Sequence, residues 1–523
     1  MESVMDYYDE LVRAIVLGDV SSRDDALRLK RKLCKKYRIA RVPPNYEVLE
    51  HVPDEYRDIV EPILKNKPIR TLSGVAPVAV MTSPYDCPHG RCTYCPGGVR
   101  TNTPQSYTGQ EPAALRAGIY EYDPYKQTKS RLEQLRAIGH RTDKVDLIIM
   151  GGTFTSRPVD YQDWFVKRCF DGMNGSVSPD LESAHFANET AKARCIGLTV
   201  ETRPDWFMER EVEHSMLLGA TKVEFGVQIL DDKVLDGVKR GHHVQEVADA
   251  TMLSKDSGLK VAYHMMPGLP GSSKAMDLAS FRAMIEDERF RPDMLKIYPT
   301  LVVKGTDLYD AWQKGAYEPM SLEDTVDLLA EVKCSMPPWI RILRIQRDIP
   351  VKLIEAGVKK SHLRELVMKE LKNRGSSCRC IRCREVGHVP PEKGSPKDSE
   401  VEFKEVPYAA SGGREVFLSY EVPAVDSLIG YARLRFPGES GREAALVREL
   451  HVYGQMVPIS QRAETGWQHR GFGERLLASC EERAGKAGFS ELWVTSGVGA
   501  RNYYRRLGYE RKGPYMAKHT GTS

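Results

Sequence analysis

The stretch Cys87-Pro-His-Gly-Arg-Cys92-Thr-Tyr-Cys95-Pro-Gly-Gly98 places three thiols in one short segment that proline and glycine interrupt. Such a segment is a loop, and its three thiols are expected to share a ligand. Three thiolates leave one position of a cubane iron–sulfur cluster open, and S-adenosylmethionine can chelate the open iron through its amino and carboxylate groups. A zinc site with His89 as the fourth ligand is the alternative, and the loop alone leaves both interpretations open.

Short apolar, β-branched segments recur through residues 71 to 300, and longer amphipathic segments separate them. This alternation predicts repeated βα units and a parallel sheet. The six predicted strands are Val75 to Met81, Val145 to Met150, Ile196 to Val200, Lys222 to Val227, Val261 to Met265 and Met294 to Tyr298.

Polar or glycine-rich sequence follows each predicted strand. These segments are the cysteine loop, Gly151-Gly152-Thr153, Glu201-Thr-Arg203-Pro, Gln228, Met266-Pro-Gly268-Leu-Pro-Gly271 and Pro299-Thr300. In a parallel barrel the carboxyl ends of the strands share one rim, where ligands bind. The six segments should therefore converge on one site, which favours a cluster with a bound cofactor over a zinc site.

Length and composition describe a globular protein of several domains. The chain has 523 residues, of which 41% are hydrophobic, and a mean hydropathy of -0.43. No apolar segment approaches the roughly 18 residues of a membrane span, and the acidic N-terminus has no secretory signal. The eleven cysteines fall in two tight clusters plus singletons, which indicates metal ligation in a reducing compartment. We therefore expect a cytoplasmic protein without a membrane partner.

Residues 1 to 70 are predicted to be helical and basic. The segment Arg28 to Arg41 contains eight basic residues and no acidic one, with Leu27, Leu29, Leu33 and Ile39 placed to anchor it. Unpaired cations at this density favour a nucleic-acid surface, and a solvated helix face is the alternative.

A second thiol group lies in the linker, residues 331 to 398. Cys378-Arg-Cys380-Ile-Arg-Cys383 is followed by His388, a spacing that predicts a closed tetrahedral zinc site. Cys334 is the other candidate for the fourth ligand. A polar, proline-rich stretch at 390–399 then marks a domain boundary.

The tail, residues 399 to 523, predicts an antiparallel meander with strands at Val416 to Val422, Leu428 to Phe436 and Ala445 to Tyr453. The segment Gln468-His-Arg470-Gly471-Phe472-Gly473-Glu474 follows and opens an amphipathic helix, whose N-terminus can hold a pyrophosphate. This turn, with Tyr503-Tyr504 some thirty residues later, resembles the acetyl-CoA site of the GCN5-related N-acetyltransferase fold. The resemblance implies that Glu449, Leu450, His451 and Val452 pair with the pantetheine arm, and that Tyr503 or Tyr504 lies near the thioester.

Gly151-Gly152-Thr153 resembles the Gly-Gly-Glu motif by which radical S-adenosylmethionine (radical SAM) enzymes hold the methionyl amino group, with threonine in place of glutamate. Tyr94 is at the position whose aromatic ring packs beside the adenine in that superfamily. The cysteine spacing differs from the superfamily's usual Cys-x3-Cys-x2-Cys by one residue. Glu201, Arg203 and Gln228 complete the expected cofactor-binding set.

The two halves together resemble one family, the catalytic subunit of Elongator, the tRNA uridine acetyltransferases. The similarity covers nearly the whole chain and includes Gln105-Ser-Tyr-Thr-Gly109, Tyr122-Asp-Pro-Tyr125, Arg344-Ile-Gln-Arg-Asp-Ile-Pro350 and Arg448-Glu-Leu-His-Val-Tyr-Gly454. It implies an α/β architecture: a basic helical region (1–70), a partial TIM-like (β/α)6 radical SAM barrel (71–330), a zinc-stapled linker (331–398) and an α+β acetyltransferase domain (399–523).

The resemblance also implies a reaction. A 4Fe-4S cluster on Cys87, Cys92 and Cys95 would reduce S-adenosylmethionine, and the resulting radical would join the acetyl group of acetyl-CoA to carbon 5 of the wobble uridine. The transferase domain would then have to face the barrel rim, and a basic residue aligned with Arg136 would contact CoA. The implied partners are a tRNA anticodon stem-loop, which Arg341 and Arg344 would help to position, and further Elongator-type subunits or a second copy of the chain.

Two alternatives use only part of these features. A protein lysine acetyltransferase with a regulatory iron–sulfur domain uses the tail, with Glu449 as the base for the amine. A non-catalytic RNA-binding scaffold uses the basic helix alone.

Overall fold

The computed structural model describes residues 2–64, 74–388, 400–438, 444–453 and 471–521. The N-terminal region is helical, as predicted, and consists of α1 (Glu2–Val16), α2 (Arg23–Lys36), α3 (Asn45–Glu50) and α4 (Arg57–Leu64). Ser22 caps α2 by accepting a hydrogen bond from the Asp25 amide at 3.2 Å. Tyr7, Leu11, Leu33 and other apolar side chains of these helices form a separate small core.

The basic segment is less uniform than its sequence indicates. Lys30 is 2% exposed and donates to Asn45 Oδ1 at 2.7 Å, so it faces the helical core instead of solvent. Three further cations pair with carboxylates: Arg28 with Asp25, Lys36 with Glu10, and Arg41 with Glu47. Exposed cations on α2 and just beyond it include Arg31, Lys35 and Arg38.

The barrel sheet has seven parallel strands, one more than predicted. They are β1 (Ala76–Met81), β2 (Lys144–Met150), β3 (Arg194–Thr202), β4 (Lys222–Gln228), β5 (Lys260–Met265), β6 (Met294–Ile297) and β8 (Arg341–Arg344), which lie in this order across the sheet. The added strand β8 extends the sheet beside β6, because buried Ile340, Ile342 and Ile345 continue the apolar core at that edge. β7 (Val302–Val303) and β9 (Ile354–Ala356) form a separate two-stranded sheet.

Helices accompany the half-barrel, and most of them pack against the sheet in the large apolar core. They are α5 (Pro112–Ile119), α6 (Pro124–Ala137), α7 (Val159–Asn174), α8 (Leu181–Asn188), α9 (Glu209–Leu217), α10 (Asp232–Gly237), α11 (Val244–Asp256), α12 (Lys274–Glu286), α13 (Asp307–Gln313), α14 (Leu322–Cys334), α15 (Leu363–Asn373) and α16 (Ile381–Arg384). No helix in the described ranges is long and apolar enough to cross a bilayer.

The inner face of the half-barrel carries charged side chains. On β4, Val223 and Phe225 point into the apolar core, so Lys222 and Glu224 alternate onto the inner face. They form an ion pair at 3.2 Å, and Lys296 of β6 also pairs with Glu224. Barrel interiors are usually filled by branched apolar residues, so this polar interior is a distinctive feature of the chain.

The C-terminal domain, which is predicted to be a transferase and is called the transferase domain below, has the predicted meander. Its strands are β10 (Glu402–Ala410), β11 (Gly413–Val422), β12 (Ser427–Phe436), β13 (Ala444–Val452), β14 (Glu491–Val494), β15 (Glu510–Lys512) and β16 (Tyr515–His519), and its helices are α17 (Phe472–Lys486) and α18 (Arg501–Arg505). The sheet order is β10-β11-β12-β13-β14-β16-β15, with β13 and β14 parallel. The domain boundary predicted at 390–399 lies outside the described residues.

The transferase domain docks on the amino-terminal ends of the barrel strands. Arg448 of β13 donates to both carboxylate oxygens of Asp293, directly before β6, at 2.7 Å each. Arg435 pairs with Asp256 at 2.6 Å, and Arg501 pairs with Glu189 at 3.3 Å. The expectation that this domain faces the barrel rim is therefore wrong, because its buried arginines find their carboxylate partners at the opposite end of the strands.

The docking also accounts for Arg341. This residue opens β8, forms an ion pair with Glu385 and donates to the Tyr453 hydroxyl of the transferase domain. Arg341 therefore belongs to the domain interface, whereas Arg344, at the other end of β8, lines the cavity at the rim.

Candidate active site

The cysteine loop lies at the barrel rim, immediately after β1. Its turns are closed by the Gly90 amide, which donates to the Cys87 carbonyl at 2.9 Å, and by the Cys95 amide, which donates to the Cys92 carbonyl at 3.1 Å. The Thr93 amide bonds to the Val238 carbonyl, and the Thr93 carbonyl accepts from the Leu308 amide. The loop is therefore held on both sides by the barrel's own backbone.

Each of the three thiols has a polar neighbour. The Cys87 sulfur lies 3.5 Å from Thr153 Oγ1, Arg240 Nη1 lies 3.7 Å from the Cys92 sulfur, and Gln105 Nε2 lies 3.4 Å from the Cys95 sulfur. Burial raises the pKa of the Cys87 and Cys95 thiols. Bound metal would reverse this effect by stabilising the thiolates.

The two metal interpretations differ in the role of His89. In a zinc site His89 would bind the ion beside the thiols. In the structure its Nε2 lies 3.2 Å from the Cys92 sulfur, within reach of a hydrogen bond to that thiol. A cluster needs only the three cysteines, and the polar residues that line the neighbouring cavity fit a cofactor bound beside it.

The predicted S-adenosylmethionine residues line one cavity beside this loop. Of the ten residues predicted for the barrel site, eight line it: Cys87, Cys92, Tyr94, Gly152, Thr153, Glu201, Arg203 and Gln228. Gly151 lies behind them, where a Cβ would stand 2.1 Å from Thr82 Oγ1. Its φ of +133° also favours glycine. Cys95 is buried.

Two residues of the cavity wall each have a buried polar atom without a hydrogen-bond partner in the described structure. Gln228 has a φ of +76°, and its buried Oε1 has no hydrogen-bond partner in the described structure. Arg203 is 2% exposed and bonds to Asp205 and to the Gly241 carbonyl, but its Nη1 is likewise unpartnered. Buried polar groups normally find partners, so these donors and acceptors fit a polar cofactor in the cavity.

Sequence reasoning missed several residues of this cavity. They are Arg240, Glu224, His264, Tyr298 and Arg347. Glu224 and His264 sit inside predicted strands, where a charged side chain in an apolar segment was the available signal. Arg240 lies in a loop with no strand end to mark it.

The transferase site is built around the separation of β13 from β14. These strands pair only from Ala444 to Val447, so Glu449, Leu450, His451 and Val452 continue without β14 beside them. The Glu449 carboxylate is fixed by Arg433 at 2.8 Å. Burial acts to raise the pKa of Glu449, but the Arg433 charge outweighs it and lowers the pKa.

The N-terminus of α17 begins at Gly471, whose φ of +77° is left-handed. Gly473 lies close to the ring of Tyr503, since a Cβ there would stand 2.9 Å from the Tyr503 hydroxyl. Burial raises the pKa of Tyr503 to about 12. Phe472 is buried and Glu474 lies in the first turn. Gln468 and Arg470, also predicted for this turn, are outside the described residues.

The two predicted tyrosines have different surroundings. Tyr504 is 7% exposed and packs in the domain core, edge-on to Tyr503 and Tyr509. Tyr503 is half-buried and faces the start of α17. Arg136 is exposed near the end of α6, where its Nε donates to Thr142 at 2.7 Å.

The linker thiols form a compact group. The sulfurs of Cys378, Cys380 and Cys383 all lie within 4.8 Å of one another, as ligands of a single ion do. Cys334 is exposed and is not in this group. Its neighbour Lys333, 0% exposed, donates to the Cys383 sulfur at 3.4 Å. The side chain of His388 lies outside the described structure.

Comparisons with known proteins agree with this arrangement. Family models match at residues 4–72 (ELP3 N-terminal domain), 82–281 (radical SAM superfamily), 292–373 (radical SAM C-terminal domain) and 390–509 (acetyltransferase (GNAT) family). The chain is 48% identical to the tRNA uridine(34) acetyltransferase of Methanocaldococcus jannaschii over 99% of this chain and 100% of that protein. The chain belongs to the Elp3 family.

Two further Elp3-family proteins extend the comparison. Human Elongator complex protein 3 is 43% identical over 97% of this chain and 96% of that protein. The solved structure of Methanocaldococcus infernus Elp3, with residues 1–46 deleted, is 46% identical and has a TM-score of 0.77. The match covers 86% of this chain and 100% of the M. infernus chain, so the two proteins share their fold over most of this chain.

Proposed function

We propose that this chain joins the acetyl group of acetyl-CoA to carbon 5 of the wobble uridine of tRNA, and that thioester hydrolysis then leaves 5-carboxymethyluridine. The observation that carries the proposal is the rim cavity, where Cys87 and Cys92 lie beside the glycine turn after β2 and the polar ends of β3 and β4. The relatives named tRNA uridine(34) acetyltransferases indicate the nucleoside.

In this proposal Cys87, Cys92 and Cys95 hold a 4Fe-4S cluster, which supplies the electron that cleaves S-adenosylmethionine. Gly151, Gly152 and Thr153 hold the methionyl amino group, and Tyr94 packs beside the adenine. Glu201, Arg203 and Gln228 provide the remaining polar contacts. Arg240 supports the thiolate of Cys92 by its positive charge.

The transferase domain binds the second substrate, acetyl-CoA. The backbone of Glu449 to Val452 pairs with the pantetheine arm, and the turn from Gln468 through Glu474 holds the pyrophosphate at the start of α17. Tyr504 is buried in the domain core and Tyr503 is only half-buried, so we assign Tyr503 the position beside the thioester. Arg136 remains a proposed CoA contact.

The basic helix α2 contacts tRNA phosphates, so that the wobble base can enter the rim cavity. Cys378, Cys380 and Cys383 hold a zinc ion that staples the linker. All eleven cysteines are free, which fits a reducing, cytoplasmic setting.

Lysine acetylation is not favoured by the site. Glu449 is the one carboxylate that the sequence nominates as a base for an amine, and Arg433 holds it at 2.8 Å. A carboxylate held in this way accepts a proton poorly, because Arg433 stabilises its charged form.

The test is anaerobic reconstitution with iron and sulfide, followed by tRNA, acetyl-CoA and S-adenosylmethionine. We expect 5-carboxymethyluridine in the digested tRNA. Cys92→Ser should lose the cluster absorbance and the product while retaining tRNA affinity. The matched control Cys334→Ser, at an exposed thiol, should retain the cluster absorbance and the product. The proposal is wrong if wild type yields no modified nucleoside but efficiently acetylates a lysine peptide.

A further inference from the structure

His264 and Glu224 form a buried pair in the wall of the rim cavity. His264 lies near the end of β5, lines the cavity and keeps 15% of its side chain exposed. Its Nε2 lies 3.0 Å from Glu224 Oε2. The ring packs edge-on against Tyr298, with centroids 5.5 Å apart. The imidazole therefore has a fixed orientation towards the cavity.

This pair resembles a metal site in its distances but not in its charge. Glu201, Glu224 and His264 bring their ligand atoms within 4.8 Å of one another. However, the Lys296 ammonium pairs with Glu224 and lies 3.5 Å from Glu201, and Lys222 pairs with Glu224 at 3.2 Å. The two ammonium groups already balance the charge of the carboxylates, so Glu201, Glu224 and His264 are not expected to bind a metal ion.

The tautomer of His264 follows from its partner. Burial acts to raise the pKa of Glu224, but Lys296 and Lys222 outweigh it and hold the pKa well below its usual range. An ionised carboxylate only accepts hydrogen bonds, so Nε2 of His264 carries the proton that it donates. In the neutral ring, Nδ1 then has a free lone pair, as the histidine of a catalytic triad has on its outward nitrogen.

The other carboxylates that line the cavity are already engaged. Glu201 accepts from the Tyr107 hydroxyl at 2.9 Å, Asp348 pairs with Arg344 at 2.6 Å, and Glu111 accepts from the Thr108 amide. Among the described residues that line the cavity, His264 is the only histidine, and imidazole is the side chain most often used as a general base.

We propose that His264, oriented by Glu224, is the general base that activates water for hydrolysis of the thioester on the modified uridine. This inference rests on the proposed function. Once the acetyl carbon is bonded to carbon 5 of the base, the thioester carbonyl is only two bonds from the ring. The hydrolytic base must therefore lie in the pocket that receives the nucleobase, where His264 is placed.

The step balances without a redox partner. Nδ1 takes a proton from water as the water oxygen bonds to the carbonyl carbon, and the carbon–sulfur bond breaks with its electron pair on sulfur. The imidazolium returns its proton to that sulfur, which leaves as the CoA thiol. The carboxylic acid formed loses its proton to solvent. Glu224 acts as a positioning residue, because it touches only the imidazole.

The test variant is His264→Asn, which replaces the imidazole by a polar amide that has no basic nitrogen. Loss of a general base typically slows its step about 10²–10⁴-fold. We therefore expect 5′-deoxyadenosine to form near the wild-type rate while 5-carboxymethyluridine release slows at least about a hundredfold. Hydroxylamine should then capture the accumulated thioester as a hydroxamate of the modified nucleoside.

The matched control is His519→Asn, at a side chain that is 83% exposed, and it should behave as wild type. Equal carboxymethyluridine release by His264→Asn and wild type would overturn the inference while leaving the proposed function intact. Parallel loss of 5′-deoxyadenosine, with no captured thioester, would also overturn it, because His264 would then act earlier. Failure of wild type itself would count against the proposed function.

A second measurement needs neither cluster nor turnover. In cluster-free protein, diethylpyrocarbonate should modify His264, and an anticodon stem-loop with an unmodified wobble uridine should protect it. His242, 1% exposed, is an internal control that should stay unmodified. A His264 that reacts equally with and without the stem-loop would not contact the nucleobase pocket, and the inference would fail.

Discussion

Asp293→Asn tests the docking of the two catalytic domains. Asp293 is 0% exposed, accepts from two Arg448 nitrogens at 2.7 Å each, and accepts from the Val261 amide at 2.8 Å. Asparagine preserves the volume but removes the charge, and it leaves Arg448 and Arg433 short of a counter-ion. Removing one partner of a buried ion pair costs about 3–5 kcal/mol, so we expect this loss in the opening free energy of the interface.

Hydrogen exchange read by mass spectrometry measures this loss strand by strand, without assuming two-state unfolding of a multidomain chain. The expected change is faster exchange in residues 427–436 and 444–452, which form β12 and β13. The matched control is Asp287→Asn, whose side chain is 30% exposed and pairs with Arg289. An exposed pair contributes at most about 1 kcal/mol. Equal effects of the two substitutions would refute the reasoning.

The same pair predicts a dependence on pH. Burial acts to raise the pKa of Asp293, but Arg448 and Lys255 outweigh it and hold the pKa well below the usual range. A group with a depressed folded-state pKa stabilises the fold above its unfolded pKa, about 3.9, and loses that contribution as the pH falls. The difference between wild type and Asp293→Asn should therefore stay constant from about pH 5 to 8 and shrink below about pH 4.

Three further predictions concern separate parts of the chain. Cys380→Ser should release zinc in elemental analysis and lower the unfolding temperature, and unchanged metal content would remove the linker site. Tyr503→Phe should slow acetyl-CoA turnover with little loss of stability, whereas Tyr504→Ala should cost about 3–5 kcal/mol because it empties a buried site; equal stability of the two variants would contradict this. A triple alanine variant of exposed α2-region cations should weaken tRNA binding and reduce the salt slope by about 2–3, whereas an unchanged slope would locate the RNA surface elsewhere. The triple variant replaces Arg31, Lys35 and Arg38. The matched control replaces three exposed lysines elsewhere, Lys314, Lys369 and Lys372, and should bind tRNA normally.

The main features of the fold were predictable because they are local. Apolar, β-branched segments identified six strands, and the parallel arrangement then placed Gly152, Glu201 and Gln228 around one cavity. The segment of the seventh strand, Ile340 to Ile345, is strand-like in sequence, but it was assigned to the linker and not to the barrel. Its membership in the sheet depends on β6, far away in sequence.

The domain arrangement was not predictable, because it depends on pairs such as Arg448 and Asp293 that are 155 residues apart. Nothing local in either segment indicates the other. The charged inner face of the barrel was missed for a related reason. Lys222 and Glu224 lie in a segment that is otherwise apolar. Their charges are tolerated because they form ion pairs inside the barrel, with each other and with Lys296 on another strand.

The docking at the amino-terminal ends of the strands has a consequence for how the two chemistries are linked. Strands β1 to β5 have six to nine residues and span about 20–30 Å, so the barrel separates the two proposed reaction centres. A rigid-body rotation of the whole transferase domain would have to break the ion pairs of Arg448, Arg435 and Arg501 at the same time. We therefore expect the acetyl thioester to move between the two sites while the transferase domain stays fixed on the barrel.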